Sequence, residues 1–190
     1  MESFEEKLAR VLSEPIEFVD YDPTWPSVYV SESKRLSRFF PAGVIRCIEH
    51  VGSTAVPGLA AKPIVDILVG VDDFYMVIDT VAPAMEAVGY DYFYRPKLGD
   101  DGPRYPWFIG RDRTGRRVSH IHVALTSDAS QWDRVLFRDY LRNHPDVADQ
   151  YAKLKRDLAA RHAHDRESYT LAKTEFITHV MAMARIESRL

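Results

Sequence analysis

The apolar positions of the chain change period several times, and each change predicts an element. Residues 3–12 repeat apolar side chains at helical spacing, with Ser3 and Glu6 placed as a capping box, and Pro15 ends the helix. Ile16 to Val19 alternates like a strand, and the turn residues Asp22-Pro23-Thr24-Trp25-Pro26 lead into a helix over about 26–40, with Val28, Leu36 and Phe39 or Phe40 inward. Val44 to Ile48 reads as a short strand, and residues 50–63 as a loop with at most a short helix. Ile64 to Val71 is nearly continuous apolar residues, the pattern of a central strand buried on both faces, and Asp66 interrupts it. A helix is expected over 72–88, from Asp72 as cap to Gly89, then a strand over Tyr90 to Tyr94 and a Gly/Pro/Asp-rich loop over 95–104. Tyr105 to Gly110 and Val118 to Leu125 read as two strands joined by a hairpin turn over Arg111 to Gly115. Three helices follow, at about 130–143, 145–163 and 167–187, the second opened by Pro145 and carrying Val147, Tyr151, Leu154 and Leu158 on one face. The sum is an α/β (α+β) chain: a mixed sheet of five or six strands with flanking helices, a helical C-terminal third, and one domain over residues 1–190.

Composition adds little to that fold and removes several functions. Of the 190 residues 46% are hydrophobic and 28% charged, the balance of a globular protein. The net charge of −3 argues against a protein that coats nucleic acid. Residues 131–190 carry 11 basic and nine acidic groups, a shift that permits an anion site there. The single cysteine, Cys47, excludes an intramolecular disulfide and a Cys-rich zinc site, and reads as a small core residue. The acidic start Met1 to Lys7 lacks the basic, apolar character of a secretory signal, and no apolar run approaches a membrane span. A cytoplasmic protein without a membrane partner is expected.

Four features have chemistry in them. Gly52-Ser53-Thr54, between a strand and the central strand, suits a phosphate, because glycine lets backbone N–H groups approach and the hydroxyls add donors; the plain alternative is an ordinary turn. Asp66 costs several kcal/mol if buried unpaired, so it meets a cation, lies at a ligand-facing edge, or is paired with Lys62 or an arginine as part of the architecture. His120 and His122 share one face of their strand. Near a carboxylate they suit a transition metal; they equally suit phosphate contact or a pair of satisfied core histidines. Arg138, Tyr140, Lys155, Tyr169 and Lys173 stand on the C-terminal helices, as ligand contacts or as a solvated face.

The stretch His50-Val51-Gly52-Ser53-Thr54-Ala55-Val56-Pro57-Gly58-Leu59-Ala60-Ala61-Lys62-Pro63-Ile64-Val65-Asp66-Ile67 resembles the signature of the GrpB family, of the nucleotidyltransferase superfamily with its polymerase-beta-like fold. The likeness continues in His120-Ile121-His122-Val123, in Leu136 to Leu141 with His144-Pro145, in Tyr151 to Lys155 and in Tyr169 to Lys173, over residues 16–185. It implies a cleft with Gly52 and Ser53 at the phosphate and Asp66 as the first of three carboxylates that hold Mg²⁺. The second carboxylate position is Leu68, and the strand of the third carries His120 and His122. Mg²⁺ prefers oxygen, so the implied site departs from a two-metal one. The expectation is a divalent ion, Mg²⁺ or a transition metal, on Asp66 helped by His120, His122 or His50, with Gly52, Ser53, Thr54, Lys62, Arg138, Lys155, Tyr169 and Lys173 around a nucleotide or phosphorylated small molecule. The similarity to a domain fused to dephospho-coenzyme A kinase adds coenzyme A as a ligand class. Three functions remain: a noncanonical nucleotidyltransferase, a non-catalytic nucleotide or coenzyme A binding module, and a transition-metal enzyme built on the His/His/Asp cluster.

Overall fold

Five strands form one mixed sheet in the computed structural model, which describes residues 3–15, 17–94, 104–162 and 165–189. They are β1 (Cys47–Val51), β2 (Val65–Val71), β3 (Asp91–Tyr94), β4 (Pro106–Arg111) and β5 (Arg117–Leu125), in spatial order β1-β2-β5-β4-β3. Only the β2–β5 pair is parallel, and its register sets Asp66 beside His120 and Leu68 beside His122. Because cross-strand partners share a face, the three polar side chains of interest leave the same side of the sheet. The other side is apolar. Val65, Ile67, Val69, Val71, Ile121 and Val123 pack there against α2 (Trp25–Leu36) and the helical run that ends in α3 (Ala82–Glu86), through Trp25, Leu36, Val77, Val81 and Met85.

Around this frame the helices follow their caps. α1 (Phe4–Ser13) starts on the Ser3–Glu6 capping box, with both reciprocal hydrogen bonds formed. α4 (Asp133–Asn143), α5 (Pro145–Arg161), α6 (Arg166–Leu171) and α7 (Thr174–Glu187) form the C-terminal third. Pro145 takes the first position of α5, where its missing N–H costs nothing. The α4, α5 and α7 side chains Leu141, Tyr151 and Val180 close a second core with Val56 and Leu59 from the loop after β1. Cys47 is half-buried with its Sγ against Gly70; a methyl group at Gly70 would stand 2.6 Å from that sulfur and 2.8 Å from the Trp132 ring.

Four expectations change. The strand expected at 16–19 is one isolated bridge, Val19 with Ala61, because Pro63 two residues after Ala61 has no N–H to extend the ladder; Ile16 lies outside the described residues. β1 begins three residues late, since a turn with Gly43 at φ +80° occupies its expected start. β1 then absorbs Glu49 and His50, polar residues that an edge strand tolerates. The helix over 72–88 contains a π-helical segment, Val77–Val81, just before α3. The last helix is broken at residues 172–173, which puts Lys173 in the turn between α6 and α7. Residues 95–103 of the expected loop and residue 163 lie outside the described residues. No helix among the described residues is long and apolar enough to cross a membrane.

Candidate functional site

Asp66, His120 and His122 meet on the polar face of β2 and β5. Asp66 Oδ1 lies 3.2 Å from His120 Nδ1 and 3.5 Å from His122 Nε2. One donor atom from each lies within 4.8 Å of the others, and among the described residues this is the one such group of three. Two of the spacings match the edge of a tetrahedral site with Zn–N or Zn–O bonds, about 3.4 Å. The donor set, two imidazoles and one carboxylate, suits a transition metal better than Mg²⁺. The buried His120 Nε2 has no hydrogen-bond partner, so the protein alone leaves this histidine unsatisfied.

The surroundings hold the trio in a metal-competent protonation state. Burial alone would raise the Asp66 carboxyl, but hydrogen bonds from His120 and His122, and the charge these rings carry once acid protonates them, outweigh it and hold the group well below the ordinary carboxylate range. Burial and the Arg134 guanidinium, opposed by Asp66, bring His122 down to about 4, and burial lowers His120 as well. Both imidazoles are neutral at pH 7, as ligands must be. Tyr105 OH lies 3.0 Å from His122 Nδ1 and accepts a hydrogen bond from Arg134 Nη2 at 2.8 Å. An outer partner on the second ring nitrogen is what orients a ligating histidine.

Gly52 closes one side. It sits at φ +71°, and a Cβ there would collide with the Asp66 carboxylate, so the backbone approaches the acid as only glycine allows. Ser53 begins the 3₁₀ turn Ser53–Ala55. In front of these residues opens a cleft of about 290 Å³ lined by Gly52, Ser53, Asp66, His122 and Arg134 and, on the helical side, by Phe137, Tyr151, Ile177 and Met181.

The remaining expected residues divide. His50 pairs with Ile67 across β1 and β2, one position off Asp66, so its ring leaves the opposite face. There it stacks on Tyr29 at 4.8 Å and contacts Thr54 Oγ1 at 3.1 Å; burial brings it down to about 4. Thr54 is thereby engaged with His50 and is buried. Arg138 binds Glu49 (2.7 Å), Asp139 (2.7 Å) and the His50 carbonyl (2.8 Å), bracing α4 against β1. Lys155 is 3% exposed and donates to Ser53 Oγ at 2.8 Å and the Ala60 carbonyl at 2.7 Å. Lys62 and Lys173 place their ammonium groups 4.2 Å and 4.5 Å from the centre of the buried Tyr169 ring. Burial lowers Lys173 to about 8, against the pull of Asp66.

Two contributors were not foreseen. Arg134 lies one turn before Arg138 on α4, so the two share a face of the helix. Tyr105 precedes β4 and reaches the site because β4 pairs with β5 in a register that sets Trp107 beside His122; nothing local in the sequence marks it.

The model of the GrpB protein family matches residues 15–183. A UPF0157 protein of Pseudomonas aeruginosa is 38% identical over 175 residues, which cover 92% of this chain and 69% of that one. A dephospho-CoA kinase of Mycolicibacterium paratuberculosis is 27% identical over 86% of this chain and 44% of its own length. Among solved structures, that of the conserved protein GrpB from Enterococcus faecalis superimposes with a TM-score of 0.79 at 28% identity, over 92% of this chain and all of the other. With its family signature, its matching sheet and a relative of this identity, the chain belongs to the GrpB family.

Proposed function

We propose that this chain is a nucleotidyltransferase-like enzyme acting on a nucleotide or another phosphorylated small molecule, with one divalent transition metal on Asp66, His120 and His122 in place of a carboxylate-held Mg²⁺ pair. The observation that carries it is the convergence of one carboxylate and two neutral imidazoles at 3.2 Å and 3.5 Å, beside a glycine that admits nothing larger. A metal there supplies charge to neutralise and polarise a phosphoryl oxygen. The rest is the work of the chain. Ser53 and Arg134 offer donors at the cleft edge, while Phe137, Tyr151, Ile177 and Met181 form a wall that suits a base or another flat apolar group. The Gly52-Ser53 turn after β1, followed by Asp66 on β2, supports the superfamily layout that the sequence resemblance implies. The dephospho-CoA kinase relative makes coenzyme A and its precursors ligands to test first, next to ATP and CTP.

A second reading, a binding module without catalysis, is favoured by one observation: the trio holds a single carboxylate where the superfamily pattern has three. Metal analysis of the purified protein, then calorimetric titration with ATP, CTP and coenzyme A before and after chelation, tests the proposal. Stoichiometric zinc, manganese or iron and ligand affinity that falls on chelation are expected. Affinity indifferent to chelation overturns the metal-dependent reading, and metal-dependent binding without turnover selects the second one.

A further inference from the structure

Lys155 reaches the cleft only through Ser53. Its ammonium lies behind the serine, 3% exposed, and among the described residues no carboxylate stands within ion-pair distance of it. Its partners are a hydroxyl at 2.8 Å and the Ala60 carbonyl at 2.7 Å, with the Tyr151 ring centre 4.6 Å away. As an ammonium Lys155 donates to both the hydroxyl and the carbonyl; once it has lost a proton, its lone pair stands within reach of the serine O–H. The groups that act on it are Lys173 in the turn before α7, Arg156 on α5 and Asp66 on β2. Burial, Lys173 and Arg156 lower it to about 7, and Asp66 opposes them. A nucleophile within hydrogen-bond reach of a base, with the base aimed by a third group, is the arrangement of an activated serine.

We propose that Ser53 is a nucleophile that becomes covalently nucleotidylated, with the Lys155 amine as the base that takes its proton. The proposal rests on the nucleotide reading above and goes beyond it by naming the acceptor. Ser53 Oγ attacks the α-phosphorus of a nucleoside triphosphate held in the cleft. The Oγ–P bond forms, the bond from the α-phosphorus to the bridging oxygen of the β-phosphate breaks, and pyrophosphate leaves. The serine proton passes to Lys155 Nζ, and the ammonium so formed stands beside the new phosphodiester. Ser53 is placed for this, since it lines the same cleft as Asp66 and His122.

The test incubates the full chain with manganese or zinc and each of ATP, CTP, GTP and UTP, reads the intact mass and maps the modified peptide. One added nucleoside monophosphate at Ser53 is expected, absent from Ser53→Ala. In Lys155→Met the reaction should slow by about 100-fold or more, the contribution of a general base. Methionine fills the slot without a buried charge, so thermal melting near that of the parent separates this effect from misfolding. The labelling rate of the parent should rise from about pH 6 to about pH 8 and stay flat in Lys155→Met, because a base must be unprotonated to act. A merely structural lysine would leave no such pH profile. A parent protein that binds a nucleoside triphosphate by calorimetry yet gains no mass, or carries the label at another residue, overturns this inference and leaves the nucleotide reading standing. Failure of all four triphosphates to bind overturns both.

Discussion

Two clefts of this molecule make opposite use of charge. The larger, about 650 Å³, lies between α1, the β4–β5 hairpin and the start of β2, and its wall holds Arg10, Arg111, Arg116 and Arg117 with Glu14, Glu17 and Asp91. The smaller, at Asp66, is about 290 Å³. Volume and charge density favour the first, yet its charges answer one another. Asp91 takes Arg10 and Arg111, each at 2.9 Å, Glu14 takes Arg111 at 2.8 Å and Arg117 at 2.5 Å, and Glu17 takes Arg116 at 2.7 Å. At Asp66 the carboxylate faces two neutral imidazoles, one with an unsatisfied buried nitrogen. A site for a ligand is marked by demand left unmet, and in the arginine pocket all three of these carboxylates are already paired.

The comparison breaks first if Asp91 can be removed cheaply. Asp91 is 9% exposed and ties α1 to the sheet through Arg10 and Arg111. Asp91→Ala leaves the half-buried Arg111 with Glu14 and the Gly115 carbonyl and should cost about 3 kcal/mol, the lower end for breaking a buried pair. Urea unfolding measures it, and metal content should not change. A loss below about 1 kcal/mol would place Asp91 among the exposed pairs, whose contribution is that small.

Asp66→Asn should do the reverse. Among the described residues Asp66 has no lysine or arginine within ion-pair distance, so asparagine strands no buried cation. Metal affinity should fall by at least about 100-fold, because the one anionic ligand is gone. The melting temperature of the metal-free protein should match or exceed that of the parent. A large drop with metal content intact would move Asp66 into the architecture.

Much of this contrast was legible in the sequence, and its limits have a physical cause. Ile64 to Val71 announced a buried strand, and alternation put His120 and His122 on one side of β5. What brought Asp66 to them is the parallel β2–β5 register, a pairing between residues more than 50 positions apart that no local pattern encodes. The sequence singled out Arg138 and passed over Arg134 one turn earlier; Glu49, the His50 carbonyl and Asp139 claim Arg138, and Arg134 is left for Tyr105 and the cleft. Lys155 read as a ligand contact or a solvated charge, and its burial behind Ser53 is decided by the loop after β1 lying over it. His50 shares the signature stretch with Gly52 and Ser53, yet strand alternation turns it to the other face.

Acid should separate the two clefts by pH. His122, and His50 on the opposite face of the sheet, titrate near 4 in the folded chain and near 6.5 when unfolded. The unfolded chain therefore binds more protons between those values, and stability present above about pH 6.5 is lost as pH falls toward 4. Asp91 and Glu14 are held below their ordinary values by their arginines, against burial, so their contribution is kept down to about pH 4 and lost below it. Denaturant midpoints across this range should fall in two stages. His122→Asn should shrink the first stage; a single fall below about pH 4 in the parent would remove the buried neutral imidazoles from the picture.

The smallest effect is expected at the rim of the arginine pocket. Arg116 and Glu17 are 2.7 Å apart, but their side chains are 63% and 54% exposed. Water screens such a pair and ordering two long side chains offsets most of the attraction, so Arg116→Ala should change stability by less than about 1 kcal/mol. The neighbouring guanidinium of Arg111, 15% exposed, makes the same kind of contact and depends on it far more, because its alternative partner is not water. If the pocket is architecture, Arg116→Ala leaves metal content and nucleotide affinity unchanged in calorimetry. A fall in nucleotide affinity in this variant would show that the larger cleft also holds part of the ligand, and the division between a pocket that answers its own charges and one that waits for a ligand's would no longer stand.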